Sequence, residues 1–357
     1  MSNSEQGAAA HAPTNGDTVS DTKVQAPADS APMNPQTELT STTNPIELEL
    51  PKSAADGLIQ KPFARPLDTA KPVAREELTP ERQSKYEAVL KSASSWTTVA
   101  TKAEKNAPTS PITEDERMWL TRDCLLRYLR ATKWDVSPCG DTSPEHPHMA
   151  PRANRSFLGY DIHARPCLYL LPSNQNTEKS HRQLEHLVFM LERAIDLSGP
   201  GQETVTLIVD FKETTSGQNA SLSQAKQTLS FLQNHYPERL GRALVLNVPF
   251  IIRGFFKLIT PFIDPNTHQK LRFNEDLRQH VPPSQLMKSV GGDVEFRYDH
   301  ASYWPTLNQL ADQRREAYRE RWVQGGKQVG EFENYLKGEN VANLSQTQLE
   351  AKASEQA

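Results

Sequence analysis

The sequence has few of the residues from which a metal site, a disulfide framework or a nucleic-acid surface is built. It contains three cysteines, Cys124, Cys139 and Cys167, which match no metal-site spacing and form no even set for disulfides. The formal net charge is −4, whereas proteins that bind phosphate backbones carry a basic excess. We therefore expect no bound metal and no nucleic-acid partner.

Signals for membrane insertion and for common enzymes are also missing. The N-terminus has no basic region followed by an apolar stretch, and the apolar run near residues 250–259 is far too short to span a bilayer. The chain has no nucleophile elbow, dinucleotide fingerprint, phosphate-binding loop or His-Glu-x-x-His motif, and His146 and His148 lack a third metal ligand. We expect a reduced, cytoplasmic protein that is not an enzyme and needs no cofactor.

Composition divides the chain into a foldable part and two polar tails. Residues 1–75 are rich in Ser, Thr, Pro, Ala, Asn and Gln and poor in aromatic side chains. Such a segment buries too little apolar surface to offset the entropy of ordering its backbone, and residues 339–357 are similarly polar. We predict that both tails are disordered. Within the foldable part, prolines and the lack of periodicity predict an irregular loop over 136–159.

Hydrophobic periodicity predicts strands that alternate with helices. A helix is predicted over 114–133 with Thr113 as its N-cap, and the β-branched runs 204–211 and 243–248 are typical of buried strands. β-α-β units of this kind predict an α/β fold with a mostly parallel sheet flanked by helices. The expected parts are a helical lead-in over 76–135, a sheet domain over 160–305 and C-terminal helices over 306–338.

Asp210 lies at the end of the second predicted strand, where α/β enzymes often place an acid. A carboxylate that caps the loop after a strand is the commoner case. We therefore predict a structural role for Asp210.

Three segments together resemble the CRAL-TRIO family, and more narrowly its fungal phosphatidylinositol transfer proteins. They are CLLRYLRATKWD at 124–135, NHYPERLG at 234–241 followed by NVP at 247–249, and PFIDPNTHQK at 261–270 followed by VGG at 290–292. The resemblance implies the CRAL-TRIO fold, in which the sheet and its helices form a lipid pocket. It further implies a monomer that carries phosphatidylinositol and contacts membranes transiently.

The resemblance also implies a headgroup site. Its matching residues are Glu238, Thr267 and Lys270, which suit the ring hydroxyls and the phosphodiester of an inositol lipid. Thr132 stands where many relatives have arginine, so Lys133 and Arg127 are expected to supply the missing charge. An exposed basic face explains Arg127 and Lys133 equally well.

Relatives that also carry phosphatidylcholine have hydroxyl and tyrosine side chains in the pocket. Here Val205 and Leu207 occupy the hydroxyl positions, and Phe157 and Leu168 the tyrosine positions. Because an unmet phosphate in an apolar wall is costly, we expect little exchange of phosphatidylcholine. This pattern is similar to the branch of the family that is linked to azole tolerance.

The apolar segment 249–263 matches the gate of the family, through which acyl chains enter. Its pocket and gate residues are Phe250, Phe255, Phe256, Ile259 and Phe262. Gly291 and Gly292 are the expected hinge, with a simple turn as the alternative.

Two other functions stay open at the level of sequence. The first is a CRAL-TRIO sensor or scaffold that holds a sterol or another apolar ligand. The second, disfavoured by the missing motifs, is an α/β hydrolase-like enzyme.

The proline-rich segment 136–159 departs from the family, which has further helices there.

Overall fold

A five-stranded sheet lies at the centre of the protein. The computed structural model describes residues 50, 51, 54, 57–100, 108–136, 155–175, 182–218 and 221–355. The strands of this sheet are β3 (Arg155–Tyr160), β4 (Pro166–Leu170), β5 (Val205–Asp210), β6 (Leu240–Leu246) and β7 (Leu271–Phe273), and β1 (Thr98–Ala100) pairs separately with β2 (Thr109–Pro111).

Helices precede, cover and follow the sheet. The lead-in contains α1 (Pro80–Ser94), α2 (Glu114–Trp119) and α3 (Arg122–Ala131). The sheet alternates with α4 (Arg182–Asp196), α5 (Leu222–His235), α6 (Phe250–Ile259) and α7 (Pro265–Gln269). The C-terminal part contains α8 (His300–Gln324), α9 (Glu333–Leu336) and α10 (Leu344–Glu355).

The strands lie in the order β3-β4-β5-β6-β7, and only the β3–β4 pair is antiparallel. This arrangement confirms the predicted α/β fold with a mostly parallel sheet. It arises because each β-branched run is followed by an amphipathic segment long enough to cross back over the sheet.

The two faces of the sheet are covered differently. Tyr169, Ile208 and Leu244 share one face by register and belong to the main core, with apolar side chains from segment 277–294 and from the start of α8. On the other face, Val205 packs against α4 and α5, and Val245 packs against α6. This second face is the one that matters for function.

In the edge strand β3, both backbone groups of Phe157 are bonded to one side-chain hydroxyl. Tyr303 Oη accepts a hydrogen bond from Phe157 N at 2.7 Å and donates one to Phe157 O at 2.8 Å. Tyr303 is fully buried, so both backbone groups depend on it rather than on water.

Removing this hydroxyl is expected to destabilise the fold. Tyr303→Phe leaves a buried N–H and C=O unsatisfied, which costs about 1–3 kcal/mol of unfolding free energy. Urea denaturation would measure the change. Tyr298→Phe is the matched control because the Tyr298 hydroxyl contacts only the exposed His300 among the bonds described. Equal midpoints for the two variants would contradict the assignment.

The ends of the foldable part differ from the prediction. Residues 57–75, placed in the disordered tail, are ordered: Ile59 and Phe63 are buried, and Ile59 exchanges backbone hydrogen bonds with Glu295 and Arg297. Helix α10 lies in the predicted C-terminal tail. Composition missed residues 57–75 because their partners are distant in sequence, and it missed α10 because that helix is mostly exposed and has few apolar residues. The prediction for residues 1–49 lies outside the described residues.

Two internal boundaries are also corrected. Strand β3 begins at Arg155, inside the segment predicted as a loop, whereas 137–154 lie outside the described residues. The single predicted helix over 114–133 is two helices, α2 and α3. Thr113 and Glu116 form the capping box of α2, and Thr121 starts α3 afresh by accepting from Cys124 N.

Candidate functional site

Apolar side chains between the second face of the sheet and its helices remain partly accessible. Leu207 and Val209 lie on the central strand β5, flanked by β4 and β6, yet both are only half-buried. Because neighbouring strands cover them laterally, their accessibility must come from space above the sheet face.

The helix above that face shows the same property. Helix α5 has an apolar stripe of Leu222, Ala225, Leu229 and Leu232, and none of its residues is fully buried. Leu232 packs against the cluster that contains Val205, which fixes the stripe toward the sheet. An amphipathic helix normally buries such a stripe. The gap between α5 and the sheet is therefore an apolar space.

Only some of the predicted pocket residues are accessible from this space. Leu207 faces it, whereas Val205 and Leu168 are only 3% and 2% exposed. Phe157 pairs with Leu168 in the sheet and is fully buried. All four are apolar, so this part of the wall offers no hydroxyl.

Helix α6 has one buried face and one exposed face. Ile252 and Ile259 are buried, and Phe256 packs against the cluster of Val245 and Val248. Phe255 is half-buried and lies in an edge-to-face contact with Phe256. Phe250 and Phe262 are exposed. The predicted gate residues therefore divide between an inner and an outer side.

Two of the predicted headgroup residues meet at one end of the sheet. Lys270 Nζ lies 3.7 Å from Glu238 Oε2, and the two side chains are 25% and 24% exposed. Glu238 has φ +57° in the turn before β6, and Lys270 directly precedes β7. Thr267 lies one helical turn before Lys270, and its carbonyl accepts from Lys270 N at 3.1 Å. These three residues form a half-exposed polar corner, which we call the Glu238–Lys270 corner.

The lead-in residues occupy a different position. The Thr132 hydroxyl donates to Asp135 O at 2.8 Å in the turn after α3, and Lys133 is exposed with φ +55°. Helix α3 contacts the segment before the Glu238–Lys270 corner through the bond from Tyr128 Oη to His235 O, 3.1 Å long. A headgroup role for Thr132 and Lys133 stays a prediction.

Arg127 lies in a buried ion cluster instead of a headgroup site. Its guanidinium is 2% exposed and pairs with Glu203 Oε2 at 3.1 Å and Glu333 Oε1 at 2.8 Å. Because both contacts engage its charge, Arg127 is a structural residue in this conformation, and the interpretation as an exposed basic face is wrong too.

Electrostatics within this cluster are strong. Burial alone would raise the pKa of Glu333, yet Arg127 and Lys337 hold it well below its usual value. Burial lowers the pKa of Lys337 to about 8, although Glu333 acts in the opposite direction. Lys337 Nζ lies 3.1 Å from Glu333 Oε2. The cluster ties α3 to α9 and to the loop before β5.

The two glycines predicted as a hinge lie in a tight turn. Gly292 N donates to Met287 O at 3.0 Å, and a Cβ on Gly292 would lie 2.0 Å from Leu286 O. Gly291 has φ +98°, a conformation that suits glycine. This geometry matches the turn alternative, and a hinge motion stays a prediction.

Asp210 has the structural role that the sequence predicts. Its carboxylate accepts from Lys212 N at 2.9 Å and from Asn247 Nδ2 at 2.7 Å, so it closes the loops at the ends of β5 and β6. Among the described residues, no cluster of His, Cys, Asp and Glu could hold a metal ion, and no helix is long and apolar enough to cross a bilayer.

Sequence reasoning missed several important residues. Glu203, Glu333 and Lys337 look like ordinary surface charges in the sequence, because Arg127, which pairs with both glutamates, is distant along the chain. Lys226 was also missed, although it lies over the ring of Phe262. The only feature of the sequence that could have indicated Lys226 is its position beside the apolar stripe of α5.

Together, the sheet, its covering helices and the helical lead-in define an α/β protein with partly accessible apolar side chains between the central strands and α5. Two family models match it: the CRAL/TRIO domain over residues 155–292 and the CRAL/TRIO N-terminal domain over residues 85–139. The chain belongs to the CRAL-TRIO family.

Curated relatives agree with this membership. A CRAL-TRIO domain-containing protein of Schizosaccharomyces pombe is 44% identical over 310 residues, which cover 81% of this chain and 31% of that protein. The phosphatidylinositol transfer protein PDR17 of Saccharomyces cerevisiae is 33% identical over 259 residues, which cover 64% of this chain and 74% of that protein. The SEC14 cytosolic factor of Kluyveromyces lactis is 32% identical over 128 residues, covering 32% of this chain and 40% of that protein. This chain thus spans about a third of the first relative and about three quarters of the second.

Proposed function

We propose that this protein binds phosphatidylinositol and transfers it between membranes without catalysing a reaction. The observation that carries the proposal is the apolar space between β5 and α5, where Leu207, Val209 and Leu229 stay half-buried. The name of the relative PDR17, a phosphatidylinositol transfer protein, supports the choice of lipid.

The space suits acyl chains for a thermodynamic reason. Each methylene that leaves a bilayer for another apolar environment keeps about 0.8 kcal/mol of burial free energy. The pocket therefore needs to bury the acyl chains with a free energy similar to that of the membrane, and it does not need to bind them more tightly than the membrane does. The protein works from the aqueous phase and touches membranes transiently.

The Glu238–Lys270 corner suits the headgroup. Lys270 supplies a cation for the phosphodiester, and Glu238 supplies an acceptor for ring hydroxyls. Their mutual contact, 3.7 Å long, is a weak ion pair with no short hydrogen bond between the two groups. Both groups are thus available to exchange partners when a lipid arrives. Thr267, one turn away, adds a hydroxyl donor.

Phosphatidylcholine is expected to be a poor ligand. The four apolar side chains Phe157, Leu168, Val205 and Leu207 cannot bond a choline-lipid phosphate, and an unmet buried polar group is costly. The transfer assay described next measures both lipids, and efficient phosphatidylcholine transfer would contradict this assignment.

Filling the space is expected to abolish transfer. Ala225→Trp projects an indole from the apolar stripe of α5 into the space, whereas Gln227→Trp places the same indole on the exposed side of α5. We expect vesicle-to-vesicle transfer of labelled phosphatidylinositol to fall at least about tenfold in Ala225→Trp, because acyl chains lose their volume, and to stay unchanged in Gln227→Trp.

Co-purified ligand provides an independent test. Mass spectrometry of the extracted protein is expected to find phosphatidylinositol in the wild type and less of it in Ala225→Trp. A sterol as the sole ligand, with no phosphatidylinositol transfer, would replace this proposal by the sensor or scaffold function. Equal transfer by both tryptophan variants would refute the location of the pocket.

A further inference from the structure

The outer face of α6 presents an apolar stripe to solvent. Phe250 is 89% exposed, Leu258 is 62% exposed, and Phe262, just after α6, is 49% exposed. Gly254 lies between the first two at helical spacing, and a Cβ there would meet nothing within 4 Å. Contiguous apolar exposure of this kind marks an interaction surface in a soluble protein.

Cations surround this stripe. Arg253 and Lys257 are exposed on α6, and Lys226 extends from α5. In the described part of the chain, none of the three forms an ion pair. The nearest acid along the chain, Asp264, caps α7 through Asn266 N and Thr267 N. The surface is thus locally basic on a chain whose formal net charge is −4. Apolar and basic groups in one plane fit the surface of an anionic bilayer.

One of these cations also holds the end of α6. Lys226 Nζ lies 3.9 Å from the centroid of the Phe262 ring, and Gln233 Nε2 donates to Phe262 O at 3.2 Å. Both contacts come from α5 and both are solvent-accessible. We call this pair of contacts the Phe262 latch, because it joins the two helices that cover the apolar space.

We propose that the Phe262 latch responds to anionic membranes: lipid phosphates take Lys226 from the Phe262 ring, so that Phe262 enters the bilayer and α6 separates from α5. The inference deepens the proposed function, on which its transfer measurement rests. The ammonium of Lys226 cannot lie over the Phe262 ring and among lipid phosphates at the same time. Binding of Lys226 to the membrane therefore requires its release from the ring. A cation above an exposed ring shifts the equilibrium toward the closed latch by about two- to fivefold. One lysine at an anionic surface strengthens membrane binding by a similar factor.

Hydrogen exchange tests the latch without any lipid transfer. In solution, Lys226→Met is expected to raise the exchange rate of the α6 amides about two- to fivefold, because the ring loses its cation. Lys226→Arg retains a cation and is expected to exchange as the wild type does. Lys257→Met removes a cation from the same surface outside the latch, so it is the charge-matched control. Equal exchange in Lys226→Met and Lys257→Met would overturn the latch.

Vesicles test the membrane response. We compare phosphatidylcholine vesicles with vesicles that also contain phosphatidylserine. The wild type is expected to co-sediment with the anionic vesicles only, and to expose its α6 amides only there. Lys257→Met is expected to bind anionic vesicles about fivefold more weakly, since it loses one lysine at the surface. Lys226→Met is expected to bind them almost as the wild type does, because the lost lipid contact is offset by the ring contact that no longer has to break.

Rates of lipid transfer then distinguish opening of the latch from simple electrostatic attraction to the membrane. From neutral donor vesicles, Lys226→Met is expected to transfer phosphatidylinositol about two- to fivefold faster than the wild type, whereas Lys257→Met gains nothing. Equal binding of the wild type to both vesicles would overturn the anionic response. A wild type that opens on anionic vesicles but transfers no lipid would refute the proposed function and leave the latch supported.

Discussion

Lys270→Ala is expected to reduce phosphatidylinositol transfer by about ten- to a hundredfold. A hydrogen bond to a charged group contributes about 1.5–3 kcal/mol, and about 1.4 kcal/mol corresponds to a tenfold change in affinity. Lys270 is the cation of the Glu238–Lys270 corner, so its loss removes the partner that we propose for the lipid phosphate. Glu238→Gln is expected to have a smaller effect, because glutamine keeps an acceptor but loses the negative charge.

The chain offers a matched control for this experiment. Lys288 and Glu295 form another ion pair, at 3.6 Å, with side chains 69% and 67% exposed. Lys288→Ala removes the same charge at a similar separation but on the open surface. It is expected to leave transfer unchanged. Wild-type rates in Lys270→Ala, measured with labelled phosphatidylinositol between vesicles, would refute the headgroup assignment.

Breaking the buried ion cluster is expected to have the largest effect on stability. Glu333→Gln removes the charge that pairs with Arg127 at 2.8 Å and with Lys337 at 3.1 Å. Removing one partner of a buried pair leaves an uncompensated charge and costs about 3–5 kcal/mol. Glu81→Gln, in the exposed pair with Lys85, is the control and is expected to change nothing measurable.

A double variant distinguishes charge from packing. Arg127→Met with Glu333→Leu removes both charges of one pair, and apolar residues of similar volume often replace such a pair without loss. We expect this variant to recover part of the stability lost in Glu333→Gln, although Lys337 then lacks its carboxylate. Urea midpoints measure both effects. If the double variant is no more stable than Glu333→Gln, the stability lost in Glu333→Gln does not come from an uncompensated buried charge.

The cluster also predicts how stability depends on pH. The pKa of Glu333 is held well below its usual value of about 4.5 by Arg127 and Lys337, against the effect of burial. A lowered folded-state pKa adds stability above the unfolded pKa, and this stability is lost as pH falls through the folded value. The wild type should therefore lose stability steeply below about pH 4.5, whereas Glu333→Gln should show a shallower decline.

Local sequence signals predicted the elements of the fold well. Thr113 predicted the start of α2, and the β-branched runs around β5 and β6 predicted buried strands. These signals work because caps and periodicity depend on residues a few positions apart. The resemblance then located the Glu238–Lys270 corner, whose two charged side chains lie 3.7 Å apart in the structure.

Local sequence signals could not predict contacts between residues that are distant along the chain. Arg127 follows the periodicity of a basic helix edge, yet it is buried against Glu203 and Glu333. Likewise, Ile59 and Phe63 lie in a polar segment, yet they enter the main core. The local sequence cannot distinguish a buried charge from an exposed one, because burial depends on which distant segment covers it.

The sequence by itself thus determined the α/β class and the N-cap of α2, since both depend on neighbours along the chain, and the family resemblance supplied the residues of the corner. Tertiary structure alone decided that α5 leaves its apolar stripe half-buried, that Arg127 is a structural ion and that Lys226 lies over Phe262. The physical reason is the same in all three cases. Burial and charge pairing are properties of surfaces that meet only when the chain has folded.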